Sequence, residues 1–217
     1  MSGLPVCRCH ASGSTRKTSR SPRTAGLGSV SALVGLLTAA AVLVLAVVQS
    51  EATAAARGGY SFDGGTPRER ATVLSALRAS AFDWSVVSGH VTVHIKAGGC
   101  NAAKGQIWLD PAMLASGRDA WGVVQHEFAH QVDFFLFDTR TRRELTGLLG
   151  AKAWWPGDRR FSHDEYGAER FASTLAWAYW PSRYNSLFRH AHAEATAMPV
   201  LRFRRMMGAL IEHRSAL

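Results

Sequence analysis

His126–His130 reads HEFAH, and the rest of the chain takes its meaning from that pentapeptide. The flanking residues, Trp121 to Phe137, are mostly apolar, contain no proline and carry glycine only at position 122. That is the pattern of a helix buried in a core. Residues four apart on a helix stand one turn above each other, so both imidazoles leave the same face. Two neutral imidazoles at that separation suit one tetrahedral zinc ion. Glu127, beside the first histidine, is then placed to take a proton from a zinc-bound water rather than to bind the metal itself. The competing reading is a core helix with two capped histidines. The coincidence of the pattern with an apolar helix favours the metal, and with it a zinc metallopeptidase.

The 217 residues allow one domain, or one domain and a targeting segment. A hydrophobic content of 47% and a charged content of 19% exclude a disordered chain and leave a globular or membrane-attached one. The net charge of +9 is shared: residues 1–56 carry five basic side chains against one acidic, and the remainder twenty against fifteen. No basic-aromatic motif stands out, so a nucleic acid partner is not expected. Of the three cysteines, Cys7 and Cys9 precede the apolar segment and Cys100 stands alone after it, which rules out a disulfide framework within the domain.

Residues 1–28 are rich in Ser, Gly, Thr and Arg and are expected to form a disordered basic leader in the cytoplasm. Ser29 to Val48 is uncharged for 20 residues, long enough to cross a bilayer. Positive charge lies only on its N-terminal side, which places the downstream chain outside the cytoplasm. Ala54-Ala55-Ala56 offers an A-x-A cleavage site, so residues 29–56 read as a signal peptide or as a membrane anchor with its linker, the cleaved signal being favoured. Both readings export residues 57–217, as a secreted or a membrane-anchored domain.

Within that domain, residues 57–65 read as a Gly-rich linker. Thr66-Pro67 opens a helix to about Ser80 with Ala71, Leu74 and Leu77 on its apolar stripe. Val86 to Ile95 reads as a strand with Val91, Val93 and Ile95 on one side and His90, Thr92 and His94 on the other. Gln106 to Asp110 is a second strand, and Pro111 starts a helical turn through Leu114. The active helix is expected to begin near Gly117 to Asp119, and Asp133 shares the histidine face, either orienting an imidazole or as a plain polar residue. Arg140 to Leu149 reads as a polar helix, and Trp154-Trp155 as a turn with large aromatics. The tail from Ser182 holds one or two helices, the last with Val200, Phe203, Met207, Leu210 and Ile211 on an apolar face. A metzincin would carry glycine at position 133 and histidine at position 136; Asp133 and Leu136 exclude that class.

The third ligand must come from elsewhere. Ser162-His163-Asp164-Glu165 reads as a capping box opening a helix that runs to Trp180 and stops at Pro181. Tyr166, Glu169 and Ser173 then share one face. Glu169, set among Phe171, Ala172, Leu175 and Ala176, would be costly to keep charged without a partner, and a zinc ion is such a partner. Glu169 is the leading candidate, with Glu165 and Asp164 as alternatives.

HEFAHQVD followed by EYGAERFA resembles the catalytic domain of the anthrax lethal factor family, which are gluzincins. The resemblance is sharp over these two motifs and extends as a domain plan over roughly residues 60–190. It implies His126, His130 and Glu169 as zinc ligands, Glu127 as general base, and Tyr166 as the group that steadies the oxyanion. Tyr166 precedes the ligand by only three residues here, which leaves His163 as its rival. Ser173 stands where the family has an acidic residue, so one contact behind the ligands differs. The expectation is an α+β, zincin-like metallopeptidase domain: a small N-terminal sheet, an active-site helix and a helical C-terminal part. It would bind one Zn2+ per chain and hydrolyse peptide or protein substrates. Possible membrane attachment runs through residues 29–48, and the oligomeric state is open. The alternatives are a catalytically silent zinc-containing binding or regulatory module at the cell surface, against which Glu127 argues, and a membrane-tethered scaffold.

Overall fold

The computed structural model describes residues 59–156, 161–190 and 192–215. The expected leader over 1–28 and the signal or anchor segment over 29–56 lie outside the described residues. Among the described residues no helix is long and apolar enough to cross a membrane. The architecture is α+β, a small mixed sheet with helices making up most of the rest.

Thr66 opens helix α1 (Pro67–Ala79) with a reciprocal cap. Its hydroxyl accepts the Glu69 N–H, and the Glu69 carboxylate accepts the Thr66 N–H at 2.7 Å. The buried side of α1 is Val73, Ala76 and Leu77, so the stripe runs one step away from the expected Ala71 and Leu74, and Ala71 is exposed. The helix is the crossover between two parallel strands, β1 (Tyr60–Gly64) and β2 (Val91–Ile95). Residues 60–64 are therefore a strand and not part of a linker: Tyr60 and Phe62 pack on the core. The expected strand over Val86–Ile95 begins only at Val91, because Trp84–Val86 winds into a 3-10 turn capped by the Asp83 side chain on the Ser85 N–H.

β4 (Gln106–Leu109) lies parallel to β2 on its other side, and β3 (Asn101–Ala103) closes the edge antiparallel to β4. The order is β1-β2-β4-β3. Val91, Val93, Ile95, Ala102, Ile107 and Leu109 are buried on one face. His94 stands on the other, bonded to Asp63 at 2.7 Å and stacked on Trp108, which is the polar face expected of a half-buried strand. Asp110 caps the short helix α2 (Pro111–Leu114).

Helix α3 (Trp121–Leu136) carries HEFAH and comes after a 3-10 turn at Gly117–Ala120. It is buried nearly all round, and two buried glutamines fix its position. Gln125 Nε2 donates to Ala76 O of α1 at 2.7 Å. Gln131 Nε2 donates to Ala103 O and Gln106 O, and Gln131 Oε1 accepts the Gly105 N–H at 2.8 Å. Gly105 sits in the left-handed region at φ 74, where a side chain would strain the turn between β3 and β4. The helix is thus tied to the sheet by the residue directly after HEFAH.

Helix α4 (Thr139–Leu148) returns over the end of α3. Asp133, fully buried, accepts from Arg142 Nε at 2.7 Å and from Trp154 Nε1 at 2.9 Å. Burial pushes its carboxyl up, and Arg142 and Trp154 oppose that push. Asp133 thus ties three segments together and does not bond an imidazole. Asp133→Ala strips Arg142 Nε and the buried indole N–H of their acceptor, leaving the guanidinium only the main-chain carbonyl, and is expected to cost roughly 3 kcal/mol. A denaturant midpoint unchanged from wild type would contradict this.

Helix α5 (Gly167–Tyr179) packs along α3. The helix expected from Ser162 to Trp180 is interrupted at Tyr166, whose backbone is extended (φ −90, ψ 137) and forms a parallel bridge with Ala153. Lys152 N–H donates to Glu165 O and Gly167 N–H to Ala153 O, so residues 152–154 take hydrogen bonds that a continuous helix would use. Downstream come α6 (Ser186–His190), α7 (His192–Ala195) and α8 (Val200–Ser215). The basic amphipathic helix α8 packs on α5: Phe203 and Met207 are buried, the Phe203 ring lies 5.8 Å from Phe171, and Arg204 bonds Ala178 O.

Candidate metal centre

His126 and His130 leave one face of α3, and Glu169 faces them from the first turn of α5. His126 Nε2 lies 3.1 Å from His130 Nε2 and 3.1 Å from Glu169 Oε2, and His130 Nε2 lies 3.6 Å from the same oxygen. Ligand atoms of the three residues all fall within 4.8 Å of one another, and all three side chains are buried. Such a group can hold a metal ion. Glu165 and Asp164, the alternatives for the third ligand, do not join the set.

Burial alone would discharge Glu169. The His130 charge and the close imidazole nitrogens of His126, His130 and His163 outweigh that and hold its carboxyl well below the usual range. Burial likewise opposes charge on His130, yet Glu169 lifts its pKa. Glu169 Oε1 and His130 Nδ1 are among the buried atoms left without a hydrogen-bond partner. An unmet buried acceptor costs about 1–3 kcal/mol, and a cation at the triangle would remove the need of a carboxylate oxygen for a donor.

A second layer supports the first. His126 Nδ1 lies 3.1 Å from Ser173 Oγ, and Ser173 Oγ lies 2.9 Å from Glu194 Oε2. The other Glu194 oxygen lies 2.7 Å from His163 Nδ1. His163 Nε2 in turn stands 2.9 Å from Glu169 Oε2, at ion-pair distance but off the line of a hydrogen bond. Its side chain is 38% exposed against 0–1% for the three triangle residues, so His163 forms the solvent side of the centre. Burial opposes its protonation, but Glu169 and Glu194 together raise its pKa to about 10. A cation beside Glu169 would weaken that pull.

Glu127 is fully buried on α3 between the two histidines, and its charge helps to raise the pKa of both His130 and Cys100. The Cys100 thiol itself is pushed up to about 12, chiefly by burial, and is inert at neutral pH. Tyr166 is in contact with Phe161: its hydroxyl lies 3.4 Å from the Phe161 N–H and its ring packs on the Phe161 ring. The expected shared face of Tyr166, Glu169 and Ser173 holds for the last two alone, because the helix starts after Tyr166.

Glu165 is engaged elsewhere. It pairs with Lys152, and it accepts the Ser162 N–H and hydroxyl at 2.8 and 2.9 Å. Lys152 first, then Ser162, holds its pKa at about 2 against the usual 4.5. A carboxyl depressed by folding contributes stability above pH 4.5, and that contribution is lost as the pH falls toward 2. Glu165→Gln is therefore expected to flatten the acid limb of stability between those values. The check is the denaturant midpoint of both proteins against pH; parallel curves would contradict it.

Ser173 stood out in the sequence as sharing the Glu169 face and as a departure from the family pattern, and Glu194 not at all. A signal was present, since Glu194 is the single acidic residue between Glu169 and Glu212. Comparison with protein-family models, with curated proteins and with solved structures finds no match.

Proposed function

We propose that the chain is an exported zinc-dependent metalloendopeptidase with a zincin-like domain, its zinc held by His126, His130 and Glu169. The observation that carries the reading is the triangle of edges 3.1, 3.1 and 3.6 Å. Ligands at 2.0–2.1 Å from a tetrahedral ion lie about 3.3–3.4 Å apart, so edges of 3.1, 3.1 and 3.6 Å come within a few tenths of an ångström of that spacing and support the zinc reading. Two imidazoles and one carboxylate also match the donor set of catalytic zinc, which keeps a position open for chemistry. His126, His130 and Glu169 would hold the ion, which when bound would supply Lewis acidity toward a peptide carbonyl and lower the pKa of a water molecule to about 7.

The chain's own residues do the rest. Glu127 accepts a proton from the attacking water and returns it to the leaving amine nitrogen. His126 presents its Nε2 lone pair because its Nδ1 is engaged by Ser173. His163, on the solvent side with Nε2 beside Glu169, is better placed than Tyr166 to donate to the substrate carbonyl oxygen as charge develops there. β3 forms one edge of the sheet and packs against α3, so an extended peptide could gain main-chain hydrogen bonds there by strand addition.

The test is hydrolysis of a mixed peptide library by the purified protein. Cleavage that a chelator abolishes and added zinc restores is the expected result. Zinc-loaded protein that leaves the library uncut would contradict the reading.

A further inference from the structure

We propose that Glu194 is a positioning residue that fixes His126 through Ser173 and His163 directly, so that one carboxylate from α7 sets both the metal-holding and the solvent-facing side of the centre. The proposal rests on the proposed function, in which the triangle holds zinc. Both oxygens of Glu194 are committed in different directions, Oε1 toward His163 at 2.7 Å and Oε2 toward Ser173 at 2.9 Å. Its backbone carbonyl accepts the Thr174 hydroxyl at 2.8 Å. Two consecutive residues of α5 thus grip the main chain and the side chain of one residue of α7, and Glu194 is 3% exposed.

The proton count fixes the directions. An ionised carboxylate only accepts, so the single Ser173 hydroxyl proton goes to Glu194. Ser173 Oγ is then left to accept, and His126 must donate to it from Nδ1. That assigns the His126 tautomer and leaves the Nε2 lone pair directed at His130 and Glu169, as metal ligation requires. On the other side Glu194 accepts from His163 Nδ1 and holds that ring with Nε2 beside Glu169.

The experiment compares wild type, S173A, E194A and the S173A/E194A double variant of the full chain. Zinc affinity is read by competition with a chromophoric chelator, the His126 tautomer by ring 15N chemical shifts, and kcat and KM on a cleaved peptide. E194A is expected to weaken zinc binding roughly 10–100-fold, as loss of an outer partner of a ligating histidine does. S173A should show a similar loss, the double variant should add little, and the His126 Nδ1 signal should shift in all three. E194A should also lower kcat with KM little changed, through His163. S173A removes only a hydroxyl and keeps the test decisive where E194A folds poorly. Folded S173A and E194A that bind zinc as wild type does, or losses that add in full, would overturn the proposal. Zinc bound by wild type without hydrolysis removes the peptidase reading alone, and the affinity series still decides on Glu194. A wild type that takes up no zinc overturns both.

Discussion

Glu127→Ala is expected to keep its zinc and lose peptide hydrolysis, by about 10²–10⁴-fold, the range that a positioned general base contributes. Glu127 is absent from the group that could hold the metal, His126, His130 and Glu169, so the metal has no reason to leave with it. The carboxylate is nevertheless fully buried, on the residue next to His126 in the same helix. A structural metal site has no use for such a group, because burying it is costly unless its charge is countered. The check is initial rates for wild type and variant on the same peptide, with bound zinc measured on the same samples. Full hydrolysis by the alanine variant would contradict the proposed mechanism.

Glu169→Ala is expected to lose the metal itself. The carboxylate closes the triangle, standing 3.1 and 3.6 Å from the two imidazole nitrogens. Without it two neutral donors remain, and the loss in affinity should exceed the roughly 10–100-fold caused by removal of an outer partner. Glu165→Ala is the matched control. It lies four residues earlier, but its carboxylate faces Lys152 and Ser162, so its zinc affinity should stay at the wild-type level. Chelator competition on the three proteins decides the matter. Metal retained in Glu169→Ala but lost in Glu165→Ala would move the third ligand.

The features legible in the sequence were those resting on a short repeat within one element. HEFAH on an apolar helix, the Thr66-Pro67 cap and the alternation of Val91, Val93 and Ile95 all read correctly, since each needs only helix or strand geometry. Glu169 was legible for a different reason: a carboxylate among apolar neighbours calls for a partner. The misses involve contacts between distant segments. β1 was hidden because a short edge strand between glycines looks like a linker until α1 brings it beside β2. The break at Tyr166 depends on Ala153 competing for its backbone, and the pattern of residues 162–180 alone reads as one continuous helix. Asp133 has the right spacing to orient an imidazole, but Arg142 and Trp154 reach it. Glu194 lies 21 residues beyond Ser173 in a helix of four residues, where periodicity has nothing to say.

The most direct test of the account is the metal content and coordination of the wild-type protein. Elemental analysis of the purified, zinc-exposed chain, with X-ray absorption at the zinc edge on the same sample, reads both. The account predicts one zinc per chain, bound by two imidazoles and oxygen at about 2.0–2.1 Å. A folded chain that emerges without stoichiometric zinc, or with zinc on sulfur, would contradict it.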